Sequence, residues 1–179
     1  MKIIKPHRKT HRCTQTWHGT REQIFPLLCP VRETDWIPDW NPTLVVSSSG
    51  VMEQDCLFVE PAIPNDAIWV VTHYDPIEFT VEMYRIDPAV TVNKLTITLS
   101  AEPSTKIPTP PPTQLPTQLP TQENTARVCA HIAYEYTALG EGGDSVVDSI
   151  TRESFSKRME QFNNAINHYL TTGHMINSH

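Results

Sequence analysis

The chain has 179 residues, 14 Lys and Arg against 20 Asp and Glu, a formal net charge of −6 and 39% hydrophobic residues. That length fits one domain with a substantial core, and the acidic balance excludes an extended nucleic-acid surface. The one basic cluster, Lys2, Lys5, Arg8, Lys9 and Arg12, lacks the apolar run of a secretory signal, and no stretch approaches the length of a membrane span.

Residues 1–9 read as a flexible N-terminal arm. From Thr10 to Trp17 the pattern alternates, with Cys13, Gln15 and Trp17 on one side, and predicts a first strand. Gly19 ends it. Thr20 to Gln23 fits a capping box opening a short helix with Ile24, Leu27 and Leu28 buried; Cys29-Pro30 ends this helix or begins a second one. Asp35 to Pro42 follows as a proline-broken loop. Its Trp36 and Trp40 carry too much apolar surface to leave in water. They cover the core edge, a partner or the mouth of a cavity.

Six more strands are predicted: Leu44–Val46, Cys56–Val59, Ala67–Tyr74, Ile77–Ile86, Thr91–Ser100 and Ala126–Thr137, separated by turn residues such as Asp75-Pro76 and Asp87-Pro88. Residues 102–125 carry Pro108, Pro110, Pro111, Pro112, Pro116 and Pro120 and a repeated Thr-Gln-Leu-Pro. They read as a disordered, polyproline-type insertion between the last two strands, with spacing that would also suit an aromatic groove on a partner.

Asp144 to Thr172 reads as a single helix, about 40 Å long at ~1.5 Å per residue. Val147, Ile150, Phe155, Met159, Phe162, Ile166, Tyr169 and Leu170 form its apolar stripe. Asp148 with Arg152, and Glu153 with Lys157, are spaced as supporting pairs on the other face. Thr151 and Ser154 interrupt the stripe, which implies either a solvent-exposed turn or room left for a ligand. Gly173 marks the end, and 174–179 form a tail. A strand, two short helices, six strands joined mainly by turns and one long helix give an α+β fold: an antiparallel sheet of six to seven strands curled around the C-terminal helix, as a single domain over 10–173.

This order of elements resembles the helix-grip, or START-like, fold of the SRPBCC superfamily. The stretch from Phe25 to Trp40, Trp69–Pro76 and Asn167–Gly173 resemble a subgroup of small bacterial, polyketide cyclase-like members of unassigned activity. The resemblance implies a long cavity between sheet and helix holding an apolar or amphipathic molecule. It carries over no catalytic motif.

The residues themselves name little chemistry. The histidines show no metal-ligand spacing, the four cysteines (Cys13, Cys29, Cys56, Cys129) read as reduced thiols of a cytoplasmic protein, and neither a nucleophile elbow nor a phosphate cradle is present. No cofactor is implied. His73 and Arg85 are the polar candidates for catalysis or ligand anchoring, if their strand faces turn inward. The expected ligand-binding set is Trp36, Trp40, Trp69, His73, Met83, Phe155, Met159 and Phe162, around a pocket of ~300–1,000 Å³. Three functions remain open: a binding protein for a small apolar or amphipathic molecule; a cyclase or dehydratase-type enzyme using the same cavity; and a protein-interaction module with a filled core. A homodimer through exposed sheet surface is compatible with any of them.

Overall fold

Period-two alternation produces seven antiparallel strands: β1 (Arg8–His18), β2 (Leu44–Val46), β3 (Leu57–Glu60), β4 (Ala67–Asp75), β5 (Thr80–Asp87), β6 (Thr91–Ala101) and β7 (Arg127–Ala138). The computed structural model describes residues 1, 3–102 and 126–176. The Pro-rich insertion, apart from Glu102, lies outside them. The strands form one sheet in the order β1-β7-β6-β5-β4-β3-β2. β1 starts at Arg8, two residues before the expected boundary, so the last residues of the supposed arm belong to the sheet. β5 starts later than expected, at Thr80. Before it, the Asp75 carboxylate accepts the backbone N–H groups of Ile77 and Glu78, forming a turn.

The chain crosses from β1 to the opposite edge through α1 (Arg21–Ile24), a 3₁₀ turn (Phe25–Leu28) and α2 (Pro30–Glu33). Thr20 and Gln23 make the expected reciprocal capping box. Ile37-Pro38-Asp39-Trp40 is then a tight turn: Trp40 N–H bonds the Ile37 carbonyl at 3.3 Å, with Asp39 at φ 63°. It swings the Trp40 indole back, where it donates to the Pro30 carbonyl at 2.8 Å; Trp36, fully buried, donates to the Leu27 carbonyl at 2.9 Å.

The long helix is two helices. α3 (Glu141–Ser149) ends at Ile150, and α4 (Arg152–Thr172) begins afresh. Thr151 is the N-cap of α4 and Ser154 its reciprocal partner, so these small polar residues mark a helix start. The break separates Asp148 from Arg152. Asp148 instead accepts from His7 at 3.1 Å and faces the Lys9 ammonium at 3.5 Å, tying α3 to β1. α3 also packs too tightly for a side chain at Gly143, where a Cβ would come within 2.0 Å of the Val90 carbonyl.

α4 crosses the concave face with Phe155, Met159, Ala165 and Ile166 buried, and stops at Gly173, φ 71°. Polar anchors fix it to β1. The buried Gln15 amide donates to the Met159 carbonyl at 2.6 Å and accepts from Trp17 at 2.9 Å. The Asn167 amide donates to the Thr16 carbonyl and accepts from His18 N–H, both at 3.0 Å, which satisfies free groups of an edge strand. This is the helix-grip architecture. The convex face is divided: polar across β6 and β7, but with Leu44, Val46, Leu57 and Ile68 exposed across β2 to β4.

Candidate functional site

A cavity of about 100 Å³ lies between the sheet and α4. Glu33, Ile37 and Trp40 form one wall, brought in by α2 and the turn after it. The sheet supplies the floor from five strands: Phe58 of β3, Trp69 of β4, Met83 of β5, Leu95 and Ile97 of β6, and Ile132 and Tyr134 of β7. Met159 and Phe162 of α4 close it from above. Register explains the selection, since Phe58 pairs with Trp69, Met83 with Leu95, and Leu95 with Tyr134, all on the inner face. The Phe58 and Trp69 rings stack at 5.3 Å, and the Trp40 ring stands edge-on to Phe58.

Trp40, Trp69, Met83, Met159 and Phe162 therefore line the cavity as the sequence suggests. Trp36 does not; it lies behind the wall, edge-on to Phe162 at 4.8 Å. Phe155 is also displaced. It sits at the first turn of α4, stacked on His11 at 5.0 Å, and meets the cavity only through its edge contact with Tyr134.

His73 faces away. The β4–β5 register shifts between Val71 and His73, and this bulge reverses the alternation. Val71 is buried, Thr72 and His73 are both exposed, and Tyr74 takes the inward place, stacked on Phe25 at 5.2 Å.

Arg85 does point inward, but into a different environment. Its guanidinium bonds Glu60 at 3.1 Å and Asp87 at 2.6 Å, while Glu60 also accepts from the Trp69 indole at 2.8 Å. Asp87 further accepts from Thr91 at 2.9 Å and Asn93 at 3.0 Å. With two carboxylates in contact, Arg85 is neutralised by the fold. This network borders an open groove of about 410 Å³ between the 62–65 loop, the β5–β6 turn and α3.

The cavity's polar equipment is a pair that sequence reading passed over, Glu33 and Tyr134. Among the described residues, neither the Glu33 carboxyl nor the Tyr134 hydroxyl makes a hydrogen bond. Glu33 is half-buried, and its side chain lines the cavity. Its carboxyl is buried from bulk water, which, with the Glu60 charge nearby, pushes its pKa up to about 8. Burial raises the Tyr134 pKa as well; the Arg158 guanidinium, 5.0 Å above the ring, opposes the rise, while Tyr136, Glu33 and Glu60 add to it. Arg158 also donates to the Tyr136 hydroxyl, so Tyr136 is occupied and Tyr134 is not. A signal for Glu33 existed. Trp36 and Ile37 follow it at i+3 and i+4, and both their N–H groups bond its carbonyl, so the acid shares a helical face with buried apolar residues.

Among the described residues, no group of three His, Cys, Asp or Glu side chains could hold a metal ion, and no helix is long and apolar enough to cross a membrane. All four cysteines are free; Cys29 and Cys56 are buried.

No family model matches the sequence, and no curated protein is significantly similar to it. Solved structures do align. Truncated norcoclaurine synthase from Thalictrum flavum superposes with a TM-score of 0.61 at 13% identity, covering 97% of this chain and 99% of that one. A point mutant of the same enzyme with a transition-state analogue gives 0.60 at 10%, covering 94% and 98%. Its complex with dopamine and hydroxybenzaldehyde gives 0.54 at 11%, covering 92% and 95%. At these identities the likeness is one of fold.

Proposed function

We propose that this chain, which has the START-like helix-grip fold, binds a small amphipathic molecule in the cavity between the sheet and α4. The observation that carries the reading is an apolar cavity containing a carboxyl that the protein itself leaves unpaired. No group among the described residues repays the desolvation of that carboxyl, which pushes its pKa up to about 8. A ligand with one polar end would satisfy it. The cavity's volume is below the range of drug-sized sites and near that needed for a single six-membered ring, on the order of 100–150 Å³. The ligand is thus a one-ring or short-chain molecule rather than a lipid, unless Trp40 and Ile37 swing outward. Norcoclaurine synthase, similar in fold, was crystallised with one-ring molecules, which is compatible with this size.

The test is native mass spectrometry of the purified protein, followed by organic extraction. A reproducible small adduct, or saturable binding of one-ring probes, supports the reading. A protein that carries nothing and binds no apolar probe would overturn it and leave an interaction module in its place.

A second reading, an enzyme of the cyclase or dehydratase type, is favoured by Glu33 alone. An acid titrating near pH 8 can give and recover a proton under physiological conditions. His73 and Arg85 lose that role, the first by orientation and the second by its ion pairs. Once a ligand is known, Glu33→Gln separates the two readings: binding kept and conversion lost identifies an enzyme.

A further inference from the structure

We infer that the carboxylic acid of Glu33 and the phenol of Tyr134 together donate hydrogen bonds to one acceptor oxygen, so that the molecule held in the cavity is a small carbonyl compound. This rests on the cavity being a ligand site. Both groups line the same cavity, both lack a hydrogen-bond partner among the described residues, and the other lining side chains are apolar or, for Trp40 and Trp69, have their indole N–H engaged elsewhere. A space of about 100 Å³ is only about 6 Å across if round, so one guest meets both walls.

Burial keeps the pair protonated, aided at Glu33 by the Glu60 charge and opposed at Tyr134 by the Arg158 guanidinium. Glu60 on β3, bound to Arg85 of β5, adds negative charge against ionisation of Glu33. On α2, Arg32 is turned away to Asp35. On α4, Arg158 is engaged by Tyr136. A neutral carboxyl and a neutral phenol each offer one O–H donor, and no lining side chain offers a cation to hold a ligand carboxylate. Two donors on one oxygen would also stabilise negative charge developing there, which is the requirement of enolisation next to a carbonyl.

The test compares cyclohexanone, methylenecyclohexane and cyclohexylammonium as probes of the full chain, by ligand-observed NMR from pH 6 to pH 9.5. At pH 6 cyclohexanone should bind roughly tenfold or more tightly than methylenecyclohexane, about the effect of one or two hydrogen bonds. That advantage should fall as pH passes about 8 and Glu33 becomes an acceptor. The ¹³C carbonyl resonance of the bound ketone should move downfield, less so in Tyr134→Phe. Glu33→Gln keeps a donor and should retain the preference while removing the pH step; Glu33→Leu should lose both. Equal binding of ketone and hydrocarbon at every pH would overturn the inference and leave the cavity reading standing. Preference for the ammonium probe, growing with pH, would overturn it in favour of Glu33 as a counter-ion. Failure of all three probes overturns the cavity reading together with this inference.

Discussion

Burial of Glu33 has a consequence that can be read in solution. An unfolded chain ionises it near the ordinary value of 4.5, the folded protein only at about 8. Its raised pKa favours folding below pH 4.5, and that favour is lost as pH rises toward 8, where the folded state ionises too. Allowing for its contact with the cavity, the loss is on the order of 3 kcal/mol. Glu33→Gln should match the parent near pH 4 and exceed it by that amount above pH 8, as read from urea midpoints across the pH range. His73→Ala should leave probe binding unchanged within twofold, because the side chain lies on the outer face. The inversion at His73 could not be read from the sequence: Trp69, Val71 and His73 keep perfect alternation in letters, and only the pairing with β5 inserts the extra residue.

At the scale of elements, helix identity was legible and helix continuity was not. Val147 and Ile150 keep helical spacing, but the step to Phe155 is five residues, and this interruption fits an exposed turn or room for a ligand as well as it fits a helix end. The signal is polar and local: Thr151 with Ser154 three residues on, a capping arrangement with serine in the place usually held by Glu or Gln. Thr151→Ala should therefore cost about 1 kcal/mol in denaturant unfolding, the usual effect of losing an N-cap. Gly143→Ala should cost more, about 2–3 kcal/mol, since the new methyl meets a backbone carbonyl that cannot rotate away. The strands of the meander were easier to place, because each carries its own alternation and turn residues. The exception, the start of β5, was obscured by Ile77, an apolar residue that is exposed in a turn.

For the whole molecule, the order of elements was enough to give the architecture. An apolar sheet face and an apolar helix face of matching length leave few ways to pack. The cavity was only half legible for the same reason. Its walls follow from which faces of the strands and of α4 turn inward, and so Trp69, Met83 and Phe162 could be read. Its polar corner depends on how a short helix, a proline turn and the sheet meet, and Glu33 and Tyr134 come from segments about a hundred residues apart. Occupation of the cavity should raise the unfolding temperature with ligand concentration, by RT ln(1 + [L]/Kd) in free energy.

The anchoring of α4 also decides how a guest gets in. Gln15 and Asn167 hold that helix to β1 at mid-length and near its C-terminus, so the roof cannot lift without breaking buried or edge-strand bonds. The opposite wall is a single turn at Ile37–Trp40, fastened to its surroundings chiefly by one indole N–H. Exchange with solvent should therefore run past the tryptophan turn. The amides of Trp36, Ile37, Asp39 and Trp40 should take up deuterium faster than those of the middle of α4, and slow markedly when a probe is bound. Trp40→Phe, which removes the fastening while keeping a ring, should speed association and dissociation together and change the equilibrium constant little.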